Sequence, residues 1–210
     1  MNKIELIIFD LDGTLYNLSD VVEMNYYMQL DFYSKYMHMD KEEVEEIFEH
    51  NNIFKLKNDK SKSATEFFIK QGIPAVEWNK YREENFDVSA IKKVPEINDQ
   101  LLNEFRKIAP LVLLSSNSLS NIKRILRHLQ IDGSLFEEIV CSDNMKNDGE
   151  FKKIDEMKKI SEERNINCEN ILSIGDRYKT DIEPILSLGG MGIVVNAPKD
   201  LKAILDKIKF

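Results

Sequence analysis

The sequence predicts an α/β fold: a three-layer core in which helices cover both faces of a parallel sheet, with a small all-helical domain inserted after the first strand. Three observations predict it. Five short apolar runs punctuate the 210 residues, and helix-period segments join the last four of them. About a hundred residues separate the first run from the second, far more than the dozen or so that a crossover between parallel strands requires.

The runs are residues 4–9, 110–115, 138–142, 171–175 and 191–195. Each is rich in Ile, Leu or Val, and most are apolar throughout, as strands buried on both faces are. After the second run, Ser118 can cap a helix carrying Ile122, Ile125, Leu126 and Leu129, with Gly133 just beyond it. After the third, Phe151, Ile154, Met157 and Ile160 recur at helical spacing. The long first gap holds helices of its own. Residues 19–39 carry Val22, Tyr26, Leu30, Tyr33 and Met37 near one face; Asp40 can cap an acidic helix; Ser63 and Glu66 fit a capping box; and a further helix spans 75–86 with Trp78 and Tyr81. The domains expected are a core of residues 1–17 and 92–210 and a helical insertion of residues 18–91. The stretch KLKNDKSKS, residues 55–63, is the one obvious flexible loop.

Twenty-nine basic against thirty-seven acidic residues give a formal net charge of −8, which disfavours nonspecific binding to nucleic acid or to an anionic membrane. A small anionic substrate remains compatible with a locally positive pocket or a bound metal. No secretory or membrane-spanning apolar run is present, so a cytoplasmic protein is expected. Cys141 and Cys168 lack metal-ligand spacing and read as reduced thiols.

In an open parallel sheet ligands bind beyond the carboxyl ends of the strands, and the sequence concentrates its chemistry there. Asp10 and Asp12 follow the first strand within IIFDLDGTLYN, residues 7–17. Ser115, Ser116 and Asn117 follow the second, Lys146 lies in the loop after the third, and Asp176 and Asp181 follow the fourth. Two like charges about 4 Å apart cost roughly 4 kcal/mol at an effective dielectric of about 20, so converging carboxylates need a counter-charge. A divalent, oxygen-seeking cation such as Mg²⁺ turns the repulsion among Asp10, Asp176 and Asp181 into attraction. Residues two apart on a strand share a direction, so Asp10 and Asp12 can reach one substrate, one attacking an electrophile while the other handles a proton. Gly13 permits a tight turn out of the site, and Thr14 can stabilise that turn.

This pattern resembles the haloacid dehalogenase (HAD) superfamily of phosphohydrolases. The motifs run in order over the core: DLDGT at 10–14, a strand ending SSN at 115–117, Lys146, and GDRYKTD at 175–181. The resemblance implies a Rossmann-like core and a helical C1 cap over about residues 18–91. It implies Asp10 as a nucleophile that becomes an aspartyl-phosphate and Asp12 as general acid, then base. Ser116, Asn117 and Lys146 become the phosphate-binding residues. Asp10, the Asp12 carbonyl, Asp176 and Asp181 become the Mg²⁺ ligands. Presence of the second acid, Asp12, points to the phosphatase or phosphomutase branch. The expected activity is Mg²⁺-dependent hydrolysis of a small phosphomonoester such as a nucleotide, phosphoglycolate or a sugar phosphate. A phosphomutase of the β-phosphoglucomutase type is the alternative, and a non-catalytic binding protein a further one.

Many relatives carry a proline after the lysine motif, whereas here the sequence reads MKNDGEF, residues 145–151. Lys152 and Lys153 are therefore alternatives to Lys146, which is preferred because it lies in the loop and Gly149 can open the following helix. Ser115 reads as backbone-bonded structure, Asp143 and Asp148 as turn residues, and Arg177 and Lys179 as solvated or paired. The aromatics of the insertion read mostly as core, and Tyr16 and Asn17 as packing where the chain leaves the first strand.

Overall fold

The computed structural model describes residues 3–53, 63–144 and 151–209. In chain order the elements are β1 (Leu6–Phe9), α1 (Val22–Met37), α2 (Lys41–His50), α3 (Ala64–Lys70), α4 (Ala75–Asn85), α5 (Asp99–Arg106), β2 (Leu111–Leu114), α6 (Leu119–Leu129), β3 (Glu138–Val140), α7 (Lys153–Arg164), β4 (Ile171–Gly175), α8 (Glu183–Ser187), β5 (Met191–Val194) and α9 (Leu201–Ile208). The described residues divide into two compact units. One comprises residues 3–18, 91–144 and 151–209, the other residues 19–53 and 63–90. Most of the loop expected at 55–63 lies outside the described residues.

In the first unit the described strands form one parallel sheet in the order β3-β2-β1-β4-β5. The chain winds outward from β1 to β3 and then returns to the other side of β1, so the loops after β1 and β4 part in opposite directions. That switch point opens a crevice at the carboxyl ends of these two strands. β1 is buried on both faces, and its side chains alternate between two layers. Leu6 and Ile8 pack with Val112, Val140, Met157 and Ile160 of α7, and Ile185 of α8. Phe9 turns the other way and meets Phe105 of α5 edge to face at 5.0 Å.

Helices α5 and α9 lie where no element is expected from the sequence. Each spans eight residues, shorter than the window over which helical periodicity becomes legible. The signals are local. The Asn98 side chain accepts from the Leu101 N–H at 3.0 Å, and α5 buries Leu101, Leu102 and Phe105.

The second unit is helical, with an aromatic interior. Phe32 lies 5.1 Å from Trp78 and 5.2 Å from Phe68, while Tyr33 stacks on Phe68 at 5.7 Å. Helix α1 stops where His38 adopts the left-handed conformation, with φ 55°. Ser63 caps α3 by accepting from the Glu66 N–H at 3.3 Å, and the Glu43 carboxylate returns to the Asp40 N–H at 3.3 Å. Asp31 of α1 pairs with Lys35 at 2.7 Å and Lys41 at 2.8 Å, and it accepts a hydrogen bond from Tyr81 of α4. Burial opposes ionisation of Asp31, but these three partners outweigh it and hold the carboxyl well below its ordinary value.

A folded value below the unfolded one stabilises the native state above the unfolded value of 3.8, and this stabilisation is lost as the pH falls through the folded value. Asp31→Asn is therefore expected to cost about 1 kcal/mol at pH 7, a modest figure because the group is partly solvated. The gap to wild type should have narrowed only in part by pH 3, because the folded value lies lower still. Trp78 is the single tryptophan and is buried in this unit, so urea titrations followed by its fluorescence at the two pH values check both signs. No helix among the described residues is long and apolar enough to cross a membrane.

Candidate active site

Asp10 continues the β1 ladder by one residue: its N–H donates to the Ile174 carbonyl at 2.9 Å, which fixes it beside β4. The chain then turns sharply, with the Leu15 N–H returning to the Leu11 carbonyl at 3.0 Å. Gly13 in this turn has φ +85°, where side chains are strained, and a Cβ there would collide with the Asp176 carboxylate. The Thr14 hydroxyl donates to Asp10 Oδ2 at 3.5 Å.

The second pair of acids comes from the end of β4. A turn of π-helix, Tyr178–Ile182, carries Asp181 back over the strand, a local widening often found at functional sites. Three donors fix it. The Arg177 N–H reaches Asp181 Oδ2 at 2.8 Å, the Thr180 hydroxyl reaches Oδ1 at 2.9 Å, and the buried Ser173 hydroxyl reaches the Asp181 carbonyl at 2.7 Å. A Cβ at Gly175 would fall on the Asp181 side chain.

Lys153, the first residue of α7, donates from Nζ to Asp10 Oδ1 at 2.6 Å and to Asp181 Oδ1 at 2.8 Å. Its side chain is 11% exposed. Asp10, Asp176 and Asp181 each bring an oxygen within 4.8 Å of the others. Lys153 thus pairs with two of the three carboxylates, while the Arg177 charge acts on the third ahead of that of Lys153. Burial pushes the Asp10 carboxyl up to about 8; Lys153 pulls against this, while Asp181 and Asp12 add to the rise. Burial and then the Asp181 charge push Asp176 up to about 6. Burial would lower Lys153, but its two carboxylate partners hold it above an ordinary lysine. Asp176 Oδ1 is buried and has no hydrogen-bond partner among the described residues. A cluster of hard oxygen donors, short of positive charge and with one buried oxygen unpartnered, fits a divalent cation.

Asp12 is half-buried and held at both oxygens. The Tyr16 hydroxyl donates to Oδ1, and Asn117 Nδ2 donates to Oδ2 at 2.7 Å. Asn117 is expected from the sequence among the phosphate ligands, yet the structure turns its amide to Asp12. The Ser115 hydroxyl accepts from the Asn117 N–H at 3.2 Å and so serves the loop. Ser116, between these two buried residues, is exposed, as are Arg177 and Lys179.

Lys146, the lysine preferred from the sequence, lies outside the described residues. The lysine that the structure brings to Asp10 and Asp181 is Lys153, while Lys152 is exposed. Sequence reasoning also passed over Ser173 and Thr180 as fixtures of Asp181. The signal available was a hydroxyl in an otherwise apolar strand, ILSIG, and a second one beside the last acid of GDRYKTD.

The chain matches the family model of haloacid dehalogenase-like hydrolases over residues 4–189. Comparison with curated proteins gives no match. Among solved structures it resembles a HAD phosphatase from Thermococcus onnurineus, with a TM-score of 0.64 and 16% identity over 96% of this chain and 98% of that one. It also resembles a HAD family enzyme from Bacteroides thetaiotaomicron in complex with magnesium and inorganic phosphate, with a TM-score of 0.56 and 17% identity over 96% and 98% of the two chains. A 2-haloacid dehalogenase from Pseudomonas syringae gives a TM-score of 0.53 and 14% identity over 98% and 99%. At such identities the likeness is one of fold. The family match, which runs from the first strand past the last acid of the cluster, carries more: this chain belongs to the haloacid dehalogenase-like hydrolases.

Proposed function

We propose that this hydrolase is a Mg²⁺-dependent phosphatase acting on a small phosphomonoester, of the nucleotide, phosphoglycolate or sugar-phosphate class, through an aspartyl-phosphate on Asp10. The helical unit is its cap domain. One observation carries the reading: Lys153 bridges Asp10 and Asp181 beside the unpartnered Asp176 oxygen. The magnesium and phosphate held by the Bacteroides enzyme support the same cofactor and substrate class.

In the first step an Asp10 oxygen attacks phosphorus, the bond to the leaving group breaks, and Asp12 gives its proton to the departing oxygen. In the second step Asp12, now ionised, takes a proton from a water whose oxygen attacks phosphorus. The bond to Asp10 then breaks and phosphate leaves. Lys153 and Ser116 hold the phosphoryl oxygens through both steps. Mg²⁺, held by Asp10, Asp176 and Asp181 and by the Asp12 carbonyl, would neutralise further charge on those oxygens. The presence of Asp12 favours a phosphoester over a haloacid, because an alkoxide needs a proton to depart and a halide does not.

The test is phosphate release from a panel of phosphomonoesters, with Mg²⁺ and after chelation. Release with at least one ester is expected, together with a fall of about 10²-fold or more on chelation. An isomeric phosphate ester in place of free phosphate would assign the chain to the mutases instead. A rate indifferent to chelation, or no turnover of any ester, would overturn the proposal.

A further inference from the structure

The chemistry just proposed needs Asp12 in a fixed orientation, first to give a proton and then to take one. An aspartate on a turn has two torsions of its own and no reason to keep them. Tyr16 supplies one. It is fully buried, and its phenol donates to Asp12 Oδ1. The backbone arranges this meeting: Asp12 and Tyr16 are bridged across the turn that Gly13 opens. Asn117 holds the other oxygen at 2.7 Å from a different strand end. A phenylalanine would fill the same volume, so the hydroxyl is what distinguishes this residue from ordinary core. A buried hydroxyl left without an acceptor costs about 1–3 kcal/mol, and here the acceptor is the carboxyl that handles the proton.

We infer that Tyr16 is a positioning residue of the reaction, its phenol and the Asn117 amide clamping the two oxygens of Asp12 in the orientation from which the proton is passed. The inference rests on the phosphatase reading and adds a residue to it. Its consequence is specific. A general acid matters in proportion to how badly the leaving group needs a proton, so losing the clamp should hurt poor leaving groups and largely spare good ones. Loss of packing would instead lower all rates alike.

The experiment compares Tyr16→Phe with wild type on p-nitrophenyl phosphate and on an alkyl phosphate from the panel. The readout is kcat/KM, which covers the steps up to departure of the leaving group. A loss of about threefold is expected with the aryl ester and about 10²-fold with the alkyl ester. In an Asp12→Asn background, Tyr16→Phe should cost less than about twofold on either ester, since a residue acting through Asp12 has nothing left to position. Equal losses on the two esters, no loss on either, or full additivity in the double variant would overturn the assignment while leaving the phosphatase reading in place. A wild-type enzyme inactive on both esters would overturn both.

Discussion

Asp10→Asn is expected to leave a folded protein whose phosphate release is at least about 10⁴-fold slower, the scale seen when a covalent nucleophile is removed. The amide keeps the shape of the carboxylate but cannot attack phosphorus, so no phosphoenzyme should be trapped when the reaction is quenched in acid. The fold should survive because the amide keeps the volume of the carboxyl and adds no charge to a cluster that already holds several of one sign. The pH dependence gives a second check. The Asp10 carboxyl titrates at about 8 in the native chain against 3.8 as a free side chain, so the native state binds this proton more tightly than the unfolded state does. Stability from this group therefore falls as the pH rises across that window. Asparagine has no such slope. In metal-free buffer the melting temperature of the variant relative to wild type is expected to rise between pH 5 and pH 8. Wild-type turnover in this variant would remove Asp10 from its role.

How much of this was legible in the sequence depends on what each residue advertises. Strands β1, β2 and β4 were plain, because a strand buried on both faces cannot hide its run of Ile, Leu and Val. Asp10, Asp176 and Asp181 were plain too, because carboxylates gathered at strand ends require a partner, and the parallel order brings β1 and β4 side by side. Tyr16 was not. A tyrosine next to Leu15 reads as core, and its core burial is real; only coordinates reveal where a buried hydroxyl points. The Asn117 amide was hidden for the same reason. The lysine was harder still. Lys152 precedes α7 without a side-chain cap, so no capping signal marks where that helix starts, and a basic residue at its first position looks like one of several exposed lysines. Its flexible stem nevertheless carries the ammonium back to the strand ends, a reach that spacing along the chain cannot express.

Lys153→Met should therefore separate the candidates for the third motif. The substitution keeps most of the stem and removes the charge that touches both Asp10 and Asp181. A loss of about 10²–10³-fold in kcat/KM is expected, the scale of one preorganised charge on a transferring group. Lys152→Met, at an exposed side chain, should stay within about threefold of wild type, and the same is expected of Lys146→Met when Lys153 fills the third motif. Stability and activity should part company in this variant. Without cation, removing the ammonium leaves Asp181 buried without this counter-charge and costs up to about 3–5 kcal/mol, less where Asp10 already holds its proton. With one positive charge gone the cluster attracts Mg²⁺ more strongly, so adding the ion should raise the melting temperature of Lys153→Met by more than that of wild type. A protein restored in stability by Mg²⁺ yet still slow would assign the loss to the missing ammonium instead of to a collapsed site. Lys153→Arg sharpens the same point: it restores the charge but presents a planar fork in place of a compact donor, so it should recover more stability than rate. If Lys146→Met proves the slower enzyme, the contacts of Lys153 hold the carboxylates together without serving the reaction, and Lys146 fills the third motif.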